Sequence, residues 1–171
     1  TQAKDAAGGV TLTGRDAMGR AVSGTLPAYT PPGSPAPIVA TTTTGYDVAG
    51  NVTSQTDPLG HRTIRTYDPY NRVATITAPQ VGDTPSVSVY GYDRMGELTG
   101  VTTPSGARHQ FTYDQLGRQI TSTQVDRSSG TTAYYTTTTA YDDAGRALSV
   151  TTPMGEKTVT SYDTAGAPLR V

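Results

Sequence analysis

The sequence predicts an all-β chain, an array of antiparallel β-hairpins, and three observations carry that prediction. The first is a motif that returns as Tyr46-Asp47-Val48-Ala49-Gly50-Asn51, Tyr67-Asp68-Pro69-Tyr70-Asn71-Arg72, Tyr92-Asp93-Arg94-Met95-Gly96-Glu97, Tyr113-Asp114-Gln115-Leu116-Gly117-Arg118, Tyr141-Asp142-Asp143-Ala144-Gly145-Arg146 and Tyr162-Asp163-Thr164-Ala165-Gly166-Ala167. An Asp followed three residues later by Gly is hairpin-turn chemistry. The carboxylate accepts N–H groups inside the turn, and Gly takes the left-handed conformation that closes it. The copy lacking Gly has Asn71, and Asn best tolerates that conformation after Gly. The Tyr, Asp and Gly of each copy, with Asn71 in the second, are therefore read as structural turn residues.

The second observation is another punctuation, Asp57-Pro58-Leu59-Gly60, Thr103-Pro104-Ser105-Gly106 and Thr152-Pro153-Met154-Gly155, with Pro at the second turn position and Gly at the fourth, a type I signature. The third is spacing: successive motif tyrosines lie 21, 25, 21, 28 and 21 residues apart. A 21-residue step holds two turns and two strands of about seven residues, with no room for helix. Fixed steps alternate with longer ones, so the repeats come in pairs.

Residues 1–40 are the least regular part, a degenerate repeat followed by a proline-rich link. Asp5-Ala6-Ala7-Gly8 and Arg15-Asp16-Ala17-Met18-Gly19-Arg20 echo the turn without its Tyr. The stretch from Pro27 to Pro37 reads as an exposed, stiff connection rather than a proline-rich ligand for an aromatic groove. Residues 41–171 form three repeat pairs. Their longer steps carry the polar insertions Gln80-Val81-Gly82-Asp83-Thr84-Pro85 and Asp126-Arg127-Ser128-Ser129-Gly130, expected on one rim. Within strands, His61, Thr63, Arg65 and Tyr67 share a face, as do Ala107, His109, Phe111 and Tyr113. Neither face is uniformly apolar, which suits a long curved sheet held by cross-strand pairs and neighbour stacking.

Composition agrees. Val, Leu, Ile and Phe number 14, 7, 4 and 1 among 171 residues, below the ~20% under which disorder is suspected. Disorder also calls for high net charge, and here it is −1 with eleven Tyr. A thin sheet satisfies both facts. Interspersed charge of both signs leaves no basic footprint for nucleic acid. The absence of Cys removes disulfides and thiolate metal sites. No apolar run approaches the ~20 residues of a membrane span. Thr1-Gln2-Ala3-Lys4 lacks the order of a signal peptide, and Val171 stops five residues past Gly166, so the chain reads as a fragment with two open sheet edges.

The Tyr-Asp turn, the Gly and Arg after it and the Pro-x-Gly midpoint, in Tyr46 to Arg72, Tyr92 to Arg118 and Tyr141 to Gly166, resemble the YD repeats of Rhs proteins, Tc-toxin C components and teneurins. The resemblance covers residues 41–171 well and 14–40 poorly. It implies a β-sheet strip spiralling into a hollow shell, which in bacterial members encloses a toxin domain. Family members also cut themselves at Asp-Pro-x-Gly-Leu elements. Asp57-Pro58-Leu59-Gly60 is similar, but His61 stands in the Leu position and the match occupies an ordinary repeat midpoint, so Asp57 is read as a turn residue.

For an enzyme the candidates are His61, His109, Glu97, Glu156 and the many Asp residues, because hydrolytic chemistry needs an acid, a base or a nucleophile placed together. His61 and His109 fall in equivalent strands of different pairs, and nothing converges, so no catalytic residue is assigned. Asp142-Asp143 with Gly145 lacks the spaced oxygens and closing Glu of a calcium loop; no metal and no cofactor is expected. Asn51-Val52-Thr53 fits the glycosylation pattern but opens a strand. The resemblance thus implies a non-catalytic wall segment that encapsulates a toxin cargo in a secreted bacterial polymorphic toxin. The alternative is a cell-surface adhesion module whose Tyr-rich rims stack on carbohydrate. The expected partners are the remainder of the parent shell, an enclosed toxin domain, and further copies met through open sheet edges, with no nucleic acid and no membrane span. The expected location is secreted or cell-surface.

Overall fold

The structure is a computed structural model that describes residues 1–4, 9–79, 85–127 and 130–169. The chain divides into two compact units, Thr1–Val87 and Ser88–Val171. The first contains β1 (Gln2–Lys4), β2 (Val10–Arg15), β3 (Ala21–Thr25), β4 (Thr41–Tyr46), β5 (Val52–Thr56), β6 (Arg62–Tyr67) and β7 (Val73–Ala78). β8 (Ser86–Tyr92) begins just ahead of the boundary and lies mostly in the second unit, followed by β9 (Leu98–Thr102), β10 (Arg108–Tyr113), β11 (Gln119–Asp126), β12 (Ala133–Tyr141), β13 (Ala147–Thr151), β14 (Lys157–Val159), β15 (Ser161–Tyr162) and β16 (Pro168–Leu169). Among the described residues there is no helix.

Within the first unit every strand from β1 to β7 pairs antiparallel with the next in sequence. The second unit repeats this from β8 to β14, and β15 pairs β16. The fold is therefore an all-β array of antiparallel hairpins. Because consecutive strands reverse direction, the Tyr-Asp turns joining β2 to β3, β4 to β5 and β6 to β7 share one rim of the first unit. The turns joining β8 to β9, β10 to β11 and β12 to β13 likewise share one rim of the second. The opposite rims carry the Pro-x-Gly turns and the long links.

The hairpins β2–β3, β4–β5, β6–β7, β8–β9, β10–β11 and β12–β13 each contain a bulge, and β15–β16 does not. Tyr46 pairs with Val52 but Gly45 with Ser54, so Thr53 is left over. Val22, Ala74, Thr99, Ile120 and Leu148 are the extra residues elsewhere. A bulge bends and twists its strand, and among the described residues it sits on the Tyr-Asp side: the Pro-x-Gly hairpins run in continuous register, as in Thr56 with Arg62 and Gln55 with Thr63. The pair just inside each bulge is small: Gly14 with Ser23, Gly45 with Ser54, Thr66 with Thr75, Gly91 with Gly100, Thr112 with Thr121 and Ala140 with Ser149. Space explains this. A Cβ on Gly45 would stand 2.6 Å from Ser54 Oγ, and the two Thr–Thr pairs meet hydroxyl to hydroxyl at 2.7 and 2.6 Å.

The proline-rich stretch is more ordered than a plain link. Tyr29 and Ile38 exchange backbone hydrogen bonds of 3.0 and 2.8 Å, and Leu26 N–H donates to Ala40 O at 2.9 Å, so it prolongs the β3–β4 connection as a small exposed hairpin. Pro27, Pro31, Pro32, Pro35 and Pro37 have no N–H to give, which confines the ladder to that bridge. The expected turn at Asp5-Ala6-Ala7-Gly8, residues 80–84 of one insertion, Ser128 and Ser129 of the other, and Val171 lie outside the described residues.

The sheets are thin. Exposure alternates along β6 and β10, with Thr63, Arg65, Tyr67, His109, Phe111 and Tyr113 half-buried and their neighbours exposed. Among the described residues the only buried apolar side chain is Val125, at 5% exposure. Truncating it is expected to cost about 1–2 kcal/mol in urea unfolding, as for one buried branched side chain. Val48→Ala, at a tip residue 99% exposed, is expected to shift the midpoint by less than about 0.5 kcal/mol.

Candidate functional site

The side chains that converge do so along the Tyr-Asp rim. In the turn after β10, Asp114 N–H donates to Arg118 O at 2.9 Å and Gly117 N–H to Asp114 O at 3.1 Å. One carboxylate oxygen, Oδ1, accepts the N–H groups of Leu116 and Arg118 at 2.9 and 3.0 Å, and Oδ2 accepts Arg118 Nε–H at 2.6 Å. This works because an aspartate offers acceptors in both directions while the turn presents N–H groups inward. Asp16 with Arg20, Asp68 with Arg72 and Asp142 with Arg146 repeat the ion pair, each at 2.7 Å. The closing residue is left-handed throughout: Gly50, Asn71, Gly96, Gly117, Gly145 and Gly166 have φ of 93°, 61°, 95°, 76°, 83° and 85°.

The arginine then ties one hairpin to the next. Arg118 stacks over the Tyr141 ring at 4.9 Å from its centroid while its Nη1 donates to Asp142 O at 2.7 Å. Arg20 does the same with Tyr46, at 4.6 Å, and Asp47 O, at 3.0 Å, and Arg146 covers Tyr162 at 4.7 Å. The motif tyrosine reaches back whether or not an arginine covers it. Tyr46, Tyr67, Tyr113, Tyr141 and Tyr162 donate their hydroxyls to the carbonyls of Ala21, Val52, Leu98, Gln119 and Ala147, one strand away, at 2.8 to 3.0 Å. At Arg20, Arg118 and Arg146 a joint between hairpins is thus fastened by carboxylate, guanidinium and phenol together.

These contacts set the charge state of the rim. The Arg20 side chain holds Asp16 below the ordinary carboxylate range, and the Arg146 backbone N–H does so for Asp142. At Asp114 partial loss of water acts the other way and is outweighed by the bonds from Arg118. The stability these groups contribute is present above the ordinary Asp value and is lost as pH falls through the lowered folded values.

Departures from the arginine are compensated locally. Asn51 stands in its place and donates from Nδ2 both to Asp47 Oδ2, at 2.9 Å, and to Asn71 Oδ1, at 2.8 Å. The one turn without Gly therefore supplies the acceptor that the shorter amide needs. Asn51 is the last turn residue, just ahead of β5, and its amide is engaged twice. At the Pro-x-Gly rim His61 Nδ1 lies 2.8 Å from Asp57 Oδ2, and His61 N–H donates to Asp57 Oδ1 at 2.9 Å. Asp57 is thus held as a turn residue.

The other residues considered for chemistry do not assemble. His61 belongs to the first unit and His109 to the second, where it lies on β10 between Val101 and Gln124. Glu156 closes its turn by giving its N–H to Thr152 Oγ1 at 3.2 Å. Asp142 is occupied by Arg146, and Asp143 projects at the exposed tip. Among the described residues no group of three His, Cys, Asp or Glu could hold a metal ion. The sequence showed the arginine after the turn glycine as part of the motif but not its tie to the next hairpin; its recurrence four residues after Asp, at Arg20, Arg72, Arg118 and Arg146, was the available signal.

Taken together, fold and rim define a hairpin-repeat protein in which a recurring Asp-Arg-Tyr set pins one repeat to the next. The RHS Repeat matches residues 46–80, 92–132 and 141–171, more than half of the chain, and the chain belongs to that family. Its fold is similar to a crystal structure of TcdB2-TccC3, with a TM-score of 0.72 and 17% identity over 91% of this chain and 9% of the other. It is also similar to TcdB2-TccC3 without its hypervariable C-terminal region, with a TM-score of 0.71 and 18% identity over 91% and 9%. A third similar structure is the Tc holotoxin pore of Photorhabdus luminescens, with a TM-score of 0.72 and 17% identity over 94% and 9%. The chain therefore spans about a tenth of the length of these structures. No curated protein sequence matches it.

Two substitutions test the rim. Arg118→Ala is expected to cost about 1–2 kcal/mol in chemical unfolding, and Arg118→Lys to recover less than half, because a single ammonium cannot stack and reach two acceptors at once. Gly117→Val is expected to cost roughly 1–2 kcal/mol or more from left-handed strain. Unchanged midpoints would remove the rim from the account.

Proposed function

We propose that this chain is a non-catalytic wall segment of an Rhs-type shell that encloses a toxin domain in a secreted bacterial polymorphic toxin. Its mechanism is sequestration: a strip of backbone-paired hairpins isolates a cargo from proteases and from the producing cell. The observation that carries this reading is the use made of the reactive side chains. The carboxylates, guanidiniums and phenols of the Tyr-Asp rim are spent on joining one hairpin to the next, which is what a wall requires and a catalytic site does not allow. Family membership and the likeness to Tc-toxin folds support it. The turn tyrosines, aspartates and glycines are assigned a structural role, residues 1–40 serve as a degenerate start to the array at 41–171, and the partners are the rest of the shell and its cargo. Open sheet edges, guarded by charges such as Lys157, would seek further strands.

In the protein that carries this segment, the enclosed domain is expected to resist added protease, and Arg118→Ala combined with Arg146→Ala to hasten its digestion. Equal digestion of the enclosed and the freed domain would overturn encapsulation. The 171-residue chain is expected to lack hydrolase, transferase and nuclease activity with or without chelator. An activity lost on His61→Ala or His109→Ala would overturn the non-catalytic assignment. Static light scattering is expected to show mass rising with concentration, and a constant monomer mass would count against association through open edges.

A further inference from the structure

The chain has three methionines and no cysteine, so all of its divalent sulfur lies in Met18, Met95 and Met154. Each occupies the same slot, the residue just ahead of a left-handed turn glycine, and none falls on a strand. Their exposures are 71, 73 and 88%. Methionine is by habit a filler of irregular gaps in apolar interiors, yet here its thioethers stand at turn tips. A thioether in water is open to two-electron oxidants, and the sulfoxide it becomes is polar. We propose that these three tips are oxidation sites for hydroperoxides, at which sulfur takes up oxygen while the sheets keep their stability.

The way these turns are held explains why the fold is spared. Met18 and Met95 give their backbone N–H groups to Asp16 Oδ1 and Asp93 Oδ1, each at 2.9 Å, and the turn that carries Met154 is closed by Gly155 N–H to Thr152 O at 3.0 Å. Those bonds use the main chain, which oxidation of the side chain leaves alone. Nor does the slot require an apolar group, since Ser105 fills it in the Pro-x-Gly turn equivalent to that of Met154. A sulfoxide buried in a core would lack partners for its oxygen, whereas at these exposures water supplies them. In the reaction with hydrogen peroxide, the sulfur lone pair bonds one peroxide oxygen as the O–O bond breaks, and sulfur gives up two electrons. The proton on the transferred oxygen passes through solvent to the departing hydroxide, so one water is released per sulfoxide. Two thiols of a sulfoxide reductase reverse the change, becoming a disulfide as the oxygen departs in water. The inference concerns the strip itself and holds whether or not it encloses a cargo.

The test treats the 171-residue chain with hydrogen peroxide and follows each methionine by peptide mass spectrometry. Met18, Met95 and Met154 are each expected to gain one oxygen, at rates within about threefold of methionine in an unfolded peptide, because susceptibility follows exposure. The thermal midpoint of the fully oxidised chain is expected to stay within about one degree of the untreated chain, as for surface changes generally. The combined variant Met18→Leu, Met95→Leu and Met154→Leu is expected to gain no oxygen under the same treatment. Oxidation at any tip more than about tenfold slower than in the peptide, or a midpoint lowered by several degrees once all three carry oxygen, would overturn the proposal. Both readings are made on the unaltered chain and need no variant to fold.

Discussion

Everything in this structure depends on the aspartate that opens each Tyr-Asp turn. One of its carboxylate oxygens gathers the turn's inward N–H groups, and the other orients an arginine, which is thereby aimed at the tyrosine and carbonyl of the next hairpin. A local device, closing a turn, and a longer-range one, registering neighbouring repeats, thus share one side chain. Isolated exposed ion pairs are worth little. These are half-shielded, bonded through Nε and repeated in series, the circumstances in which such pairs do matter.

That arrangement answers the difficulty posed by composition. A chain with so few large apolar residues cannot gain its stability from a thick interior, and only Val125 is fully covered among the described residues. Stability comes instead from ladders, from small cross-strand pairs beside the bulges, and from rim contacts that satisfy polar groups without burying them deeply. In a repeat array such terms add from neighbour to neighbour, so many modest contributions hold a long sheet.

Much of this was legible in the sequence because its turns rest on residues with narrow conformational use. Gly50, Gly117 and Asn71 mark left-handed positions that few residues adopt, and the even spacing of Tyr and Pro left room for strands alone. The faces of β6 and β10 followed from simple alternation. What escaped was three-dimensional pairing. The bulges are visible only as a register slip between strands, though the small residues Gly45, Ser54, Thr66 and Thr75 beside them carry a faint trace. The tie from Arg118 to Tyr141 joins residues more than twenty positions apart, and the answering pair Asn51 and Asn71 looks like two unrelated lapses until they are seen to touch. The stretch from Pro27 to Pro37 looked like a bare connector because its prolines hide the single bridge between Tyr29 and Ile38.

The central claim is that neighbouring repeats are energetically coupled through the rim. A double-mutant cycle joining Asp114→Ala in one turn with Tyr141→Leu in the next addresses it most directly, since the two side chains communicate through Arg118. The account predicts that the double variant loses less than the sum of the single losses, by about 0.5 kcal/mol or more, because either change already releases the arginine. Losses that add to within about 0.3 kcal/mol would mean that each turn stands alone, and would contradict it.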